Sequence, residues 1–275
     1  MGKSVESANV RDRWLVGALL GVLLPLVLSG TGVSKPPVSE VRVLSAIGMR
    51  LAIVKLGAEY ERTTGNRLLL AFDSGAVIVK RILDGEAADV VLIPRAGVEQ
   101  LVRAKRISLG PVDLATSRVG VAVRTGSPRP DISTPAALTR TLLAARTIAV
   151  PDPALGGSSG VHLARVFEKI GIASRINDRL VLSSTPQDES TLPGARVAAG
   201  HAELALHQMQ ELKAVAGIDI VGPLPDALQE TFMFSGAILR AAAQPHTARS
   251  LLDFLQTPAA AATLTAIGMD PVRRY

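Results

Sequence analysis

From Val41 onward the chain alternates short apolar runs with stretches whose apolar residues recur at helical spacing. No other feature restricts its folding as much. The runs cover residues 41–44, 67–72, 89–93, 119–123, 147–150, 180–182, 203–206 and 218–221. Several are apolar at successive positions, as strands buried on both faces of a parallel sheet must be. Between the first two, Met49, Ala52, Ile53, Leu56 and Tyr60 share one helical face, and Gly65 stands where that helix should stop. Val161, Ala164, Phe167 and Ile170 repeat the pattern ahead of Gly171. The alternation is that of an α/β protein.

Roughly 235 residues follow Glu40, enough for one large domain or two small ones. Two strand-like runs lead into turn-rich segments. Residues 119–124 enter Thr125-Gly126-Ser127-Pro128-Arg129-Pro130, and residues 218–221 enter Gly222-Pro223-Leu224-Pro225. Crossings there predict two α/β lobes joined by two strands. Residues 40–122 and 222–275 form the first lobe and residues 123–221 the second. Two final helices, over 247–256 and 258–267, pack back on the first lobe.

Residues 14–28 carry no charge, follow Arg11 and Arg13, and precede Ser29, Gly30, Gly32 and Ser34. This order reads as a cleaved secretory signal peptide over residues 1–34, with Pro25 inside its apolar part. A membrane span usually needs about 20 apolar residues. The chain has no cysteine, so it offers no acylation site, disulfide, thiolate zinc site or cysteine nucleophile. Export without disulfides points to the bacterial periplasm. With four histidines in all, no metal site is expected, and no cofactor motif appears. The net charge of +6 suits a small anionic ligand. One Trp, two Tyr and five Phe are too few for the stacking platforms of nucleic-acid or polysaccharide binding. A monomer is expected.

In open parallel sheets, ligands sit beyond the carboxyl ends of strands, where helix amino termini present unpaired N–H groups. Three junctions here carry small or hydroxylated residues: Ser45-Ala46-Ile47-Gly48, Asp73-Ser74-Gly75, and Gly156-Gly157-Ser158-Ser159-Gly160. Each is also an ordinary helix cap, so only their recurrence argues for a site. The third matches G-x-S-x-G, with Ser158 in the nucleophile position. Residues 151–155 separate it from the preceding strand, however, and a nucleophile elbow needs the strand to run straight into the serine. Ser158 and Ser159 therefore read as hydroxyl donors. A P-loop and a dinucleotide loop are excluded by spacing. Arg95 and Arg118, each next to a strand, are candidate carboxylate clamps, although a lone arginine is more often solvated. His162, near the start of a helix, is a candidate acid/base group set against a plain surface histidine.

The order Val41-Arg42-Val43-Leu44-Ser45-Ala46, Ala71-Phe72-Asp73-Ser74-Gly75 and Gly85-Glu86-Ala87-Ala88-Asp89-Val90 resembles the periplasmic molybdate-binding proteins. Those are type II solute-binding proteins that deliver an oxyanion to an ABC importer. The resemblance extends through Gly156-Gly157-Ser158-Ser159-Gly160 and residues 200–208. It implies the type II periplasmic binding protein fold, a small anion in the cleft and a permease partner. The membrane enters only through export or that permease. The positions that hold the ligand fall on Ser45, Gly48, Ser74, Gly75, Gly157, Ser158, Ser159 and Gln208. The pattern departs from molybdate binders where Gly48 and Gly75 replace serines, where Gln208 falls near a tyrosine, and where the carboxylate Asp73 would repel a dianion. The chain also resembles aconitate isomerase, built on the same scaffold. That likeness implies Asp73 and His162 as acid/base groups, with Arg95 and Arg118 as clamps. A carrier has no catalytic residues, and a sensor on the same fold is a third reading.

Overall fold

The computed structural model describes residues 38–183 and 189–272. The expected signal peptide lies outside the described residues. Strand β1 (Glu40–Ala46) alternates exposed and buried positions before burying its last four residues. A 3-10 turn, Ile47–Met49, leads into helix α1 (Arg50–Thr64), which ends at Gly65 with φ of 75°, a conformation glycine adopts without steric cost. Strand β2 (Arg67–Asp73) pairs with β1 in parallel, and helix α2 (Gly75–Leu83) follows at once. Strand β3 (Val90–Pro94), apolar throughout, pairs with β1 on its other side and feeds α3 (Arg95–Arg103).

Strand β4 (Ile107–Arg124) is far longer than the run at 119–123 suggested. Its first part bends through Gly110-Pro111 and slips register three times against β9 (Thr231–Leu239). Helix α4 (Pro135–Ala144), strand β5 (Ile148–Pro151), and helices α5 (Ser158–Lys169) and α6 (Ala173–Ile176) come next. They are followed by β6 (Leu180–Ser183), α7 (Pro193–Ala198), β7 (Leu204–Gln208), α8 (Met209–Lys213) and β8 (Ile218–Pro223). After β9 the chain closes with α9 (Pro245–Phe254), α10 (Pro258–Ile267) and the short β10 (Asp270–Pro271).

The strands form one sheet in the order β2-β1-β3-β9-β4-β7-β5-β6, with β8 and β10 also pairing with β4. Two all-parallel groups result, β2-β1-β3 and β7-β5-β6, on either side of antiparallel β9 and β4. Strand β4 serves both: residues 107–118 pair with β9, and residues 119–124 pair with β7 and β8. The main core contains β1, β3, β9 and the inner faces of α1, α9 and α10. Tyr60 lies fully buried in it, with its ring edge against Phe254. Asp89 is also buried, yet its carboxylate accepts the backbone N–H groups of Arg42 and Gln244, both at 2.8 Å. It ties the start of β3 to β1 and to the approach to α9.

Candidate functional site

All six parallel strands direct their carboxyl ends to one cavity. Its wall includes Ala46 at the end of β1, Ser74 just past β2, Pro94 of β3, Pro151 of β5, Ser183 of β6 and Gln208 of β7. This is where open α/β sheets place ligands, because each strand there gives way to a loop or a helix start. The two strand groups each supply three of these ends, so the cavity belongs to both.

The lining is rich in hydrogen-bond donors. Ser74 caps α2, its Oγ accepting the N–H of Val77 at 3.3 Å, while the N–H groups of Gly75 and Ala76 in the first turn have no partner within the helix. Gly75 follows because a Cβ there would come within 2.8 Å of Pro94 Cδ. Helix α5 starts from Gly157 without a side-chain cap, and Gly157, Ser158 and Ser159 all line the cavity. Asp152, whose carboxylate accepts the N–H of Ala154, turns the chain between β5 and this helix. Ser183 is buried and lines the cavity, and its Oγ has no hydrogen-bond partner among the described residues. Ile47, Leu155, Leu192 and Phe234 complete the wall with apolar surface. No lysine or arginine belongs to the lining among the described residues. An anion here would be held by backbone dipoles, hydroxyls and an amide.

Two ionisable side chains stand together in this wall. Nδ1 of His207 lies 2.6 Å from Oε2 of Glu211, with both side chains largely buried. The contact is close but poorly aligned, since Nδ1 makes no directed hydrogen bond. An imidazole and a carboxylate so placed can pass a proton to and from a bound molecule.

The residues singled out in the sequence divide cleanly. Gly48, Ser74, Gly75, Gly157, Ser158, Ser159 and Gln208 line the cavity. Ser45, Asp73, Arg95, Arg118 and His162 do not. Ser45 is fully buried and its hydroxyl donates to the carbonyl of Ala46 at 3.2 Å. Asp73 turns away: Oδ1 accepts the N–H of Ser74 at 2.8 Å, and Oδ2 lies 3.5 Å from Arg81. The repulsion expected from this carboxylate is thus removed by its rotation and its partner. Arg95 is held by Glu99 and Asp113, and Arg118 lies 3.9 Å from Asp270. His162 packs its ring edge against Phe232, with Nδ1 3.0 Å from Glu230. Burial holds its pKa below the ordinary histidine value, against the pull of the Glu230 carboxylate.

Ser183, His207 and Glu211 were not selected from the sequence as site residues. His207 and Glu211 are four apart across the end of β7 and the start of α8, so only the strand-to-helix bend brings them together. Ser183 ends the short strand expected from the run at 180–182. Its one sequence signal is a serine at a strand terminus, the same signal that marked Ser74.

With the cavity so placed, the chain is a type II periplasmic-binding-protein fold carrying a small-ligand site between two groups of parallel strands. Residues 41–270 match the bacterial extracellular solute-binding proteins, and the chain belongs to that family. Aconitate isomerase from a Pseudomonas species is 35% identical over 264 residues, covering 94% of this chain and 95% of that protein. The periplasmic molybdate-binding protein of Azotobacter vinelandii superposes with a TM-score of 0.67 at 18% identity, over 86% of this chain and 100% of that one. The sulfate-binding protein of Mycobacterium tuberculosis H37Rv does so with a TM-score of 0.63 at 16% identity, over 85% and 87%. These two likenesses concern the fold.

Proposed function

We propose that the protein is a periplasmic isomerase of the aconitate type, which binds a small polycarboxylate in the cavity and shifts a proton and a double bond within it. The His207–Glu211 pair carries this reading. Capture by amides and hydroxyls requires no titratable pair. Moving a proton on carbon requires a base within reach and an acid to return the proton. The relationship to aconitate isomerase over nearly the whole chain supports the same reading.

In the step, a base takes the proton from the methylene carbon of the bound acid. The C–H electrons form a new double bond as the old one opens, and charge spreads onto a carboxylate. The amide groups at the starts of α2 and α5 stabilise that charge where it develops. A proton returned to the far carbon completes the shift, with no atom gained or lost and no oxidant needed.

Incubation of trans-aconitate with the protein in heavy water tests the reading. The expected result is cis-aconitate, with deuterium at the carbon that receives the proton. No turnover at high protein concentration overturns it.

A second reading is a carrier that hands a small anion to an ABC permease. That no lysine or arginine lines the cavity among the described residues favours it, because amides and hydroxyls are sufficient for capture. The signal-like segment at residues 1–34 supports a periplasmic location under either reading. A ligand among molybdate, tungstate, sulfate and the di- and tricarboxylates that raises the melting temperature without being converted supports the carrier.

A further inference from the structure

Gln208 is almost wholly buried at the end of β7, yet it lines the cavity. Behind it lies Gln210, with no solvent exposure. Nε2 of Gln210 lies 2.9 Å from the backbone carbonyl oxygen of Gly48 and 2.7 Å from Oε1 of Gln208. Its Oε1 accepts the hydroxyl of the buried Ser117, on β4 one residue from Arg118, where pairing with β9 ends.

This arrangement settles the sense of both amides by chemistry. A backbone carbonyl can only accept, so the Gln210 atom facing Gly48 must be the NH2 group. The same NH2 group faces Gln208, so the Gln208 atom it meets must be the carbonyl oxygen. The NH2 of Gln208 is then the end left for the cavity. We infer that Gln210 is a positioning residue that locks the Gln208 amide with its donors toward the ligand, making this corner of the site select an ionised, acceptor-only oxygen. A hydroxyl or a protonated acid can also accept from this NH2 group, but its own O–H finds no acceptor on Gln208, so the ionised oxygen is favoured. The inference names the kind of group the site reads, and it rests on the reading that the cavity is where the carboxylate binds.

The relay also ties three parts of the chain together. Gly48 belongs to the turn after β1, Gln208 ends β7, and Ser117 lies on β4, the strand between β9 and β7. A Cβ on Gly48 would approach Phe234 Cζ to 2.8 Å and Gln208 Oε1 to 3.0 Å, so glycine at that turn keeps the space these two side chains occupy.

The test has two arms. The first needs no ligand. In 1H–15N spectra of the uniformly labelled full chain, assigned with Gln208→Met and Gln210→Met, the Gln210 side-chain NH2 should exchange with solvent far more slowly than that of Gln208. The reverse order overturns the inference. The second arm is a double-mutant cycle on trans-aconitate affinity and turnover. Gln210→Met should weaken binding about tenfold, with KM rising and kcat nearly unchanged, as for loss of an interaction equal in ground and transition states. In the Gln208→Met background the same change should have no further effect, because Gln210 acts through Gln208. An equal loss in both backgrounds, with melting curves confirming folded protein, shows a merely structural role and overturns the inference. If trans-aconitate fails to bind the unaltered protein, the proposed function fails and the exchange arm alone decides the relay.

Discussion

Nδ1 of His207 and Oε2 of Glu211 approach to 2.6 Å in the wall of a cavity whose other lining residues, Asp152 apart, are neutral. Asp152 is the other charged residue of that wall, and its carboxylate is engaged with the N–H of Ala154. If the pair moves the proton, His207→Gln should lower kcat for trans-aconitate by about 10²–10⁴-fold, the usual contribution of general acid–base catalysis. The rise in melting temperature with trans-aconitate should persist, since the helix-start amides and Gln208 remain. Turnover at the original rate in a folded His207→Gln protein removes His207 from the mechanism. Glu211→Gln, which keeps the shape and removes the ionisable group, should alter the pH–rate profile as well as the rate.

Asp73 makes the opposite case. Its carboxylate is satisfied by the N–H of Ser74 and by Arg81, outside the cavity lining. Asp73→Asn should therefore leave affinity and turnover within about twofold and cost about 1 kcal/mol or less in stability, as partly exposed ion pairs do. Parallel assays of Arg95→Ala and Arg118→Ala should likewise show unchanged KM. A large rate loss in Asp73→Asn would return that residue to the site.

The fold was legible because buried parallel strands write themselves as continuous apolar runs. All eight runs fall on strands. Strand β9 was hidden, because Ser235 and Gly236 interrupt its apolar pattern. Gly236 is needed there, since a Cβ would meet Leu252 of α9 at 2.5 Å. The first part of β4 was hidden by Gly110-Pro111, which reads as a turn. Within the site, serine and glycine caps were legible because helix starts have a local signature. Side-chain direction was not. Asp73 and Ser74 are adjacent, yet one faces the cavity and the other does not. The motif around Asp89 was legible as distinctive, but its acid is a structural anchor and no ligand group.

That anchor gives a stability prediction. Asp89→Ala removes two charge-assisted hydrogen bonds at 2.8 Å and leaves the N–H groups of Arg42 and Gln244 without their acceptor. Each such loss costs about 1.5–3 kcal/mol, so denaturant melts should show a destabilisation of about 3 kcal/mol or more. Asp89→Asn, retaining one acceptor oxygen, should lose less. A midpoint unchanged in Asp89→Ala would show that other groups or water satisfy those donors.

Stability should also respond to acid through His162. Burial lowers its folded pKa below the ordinary value of 6.5, so below that value the unfolded chain binds the proton more readily. The contribution of the neutral, buried ring is complete above about pH 6.5 and is lost as pH falls toward the folded pKa. Thermal melts from neutral pH downward should show this decline, and His162→Gln should flatten it. An identical pH dependence in the variant assigns the decline to other groups.

Gly48 offers the sharpest steric test of the cavity. A Cβ at this position would lie 2.8 Å from Cζ of Phe234 and 3.0 Å from Oε1 of Gln208, so one of those side chains must move. Both line the cavity, and Phe234 is almost fully buried in the core, which leaves the Gln208 amide as the more yielding of the two. Gly48→Ala should therefore cost about 1–3 kcal/mol in stability, as overpacked sites do. Because the shift falls on the ligand-facing amide, the melting-temperature rise with trans-aconitate should shrink or vanish while the far-ultraviolet circular dichroism stays native. A full ligand-induced rise in folded Gly48→Ala would mean that Phe234 gives way instead and that the amide holds its place.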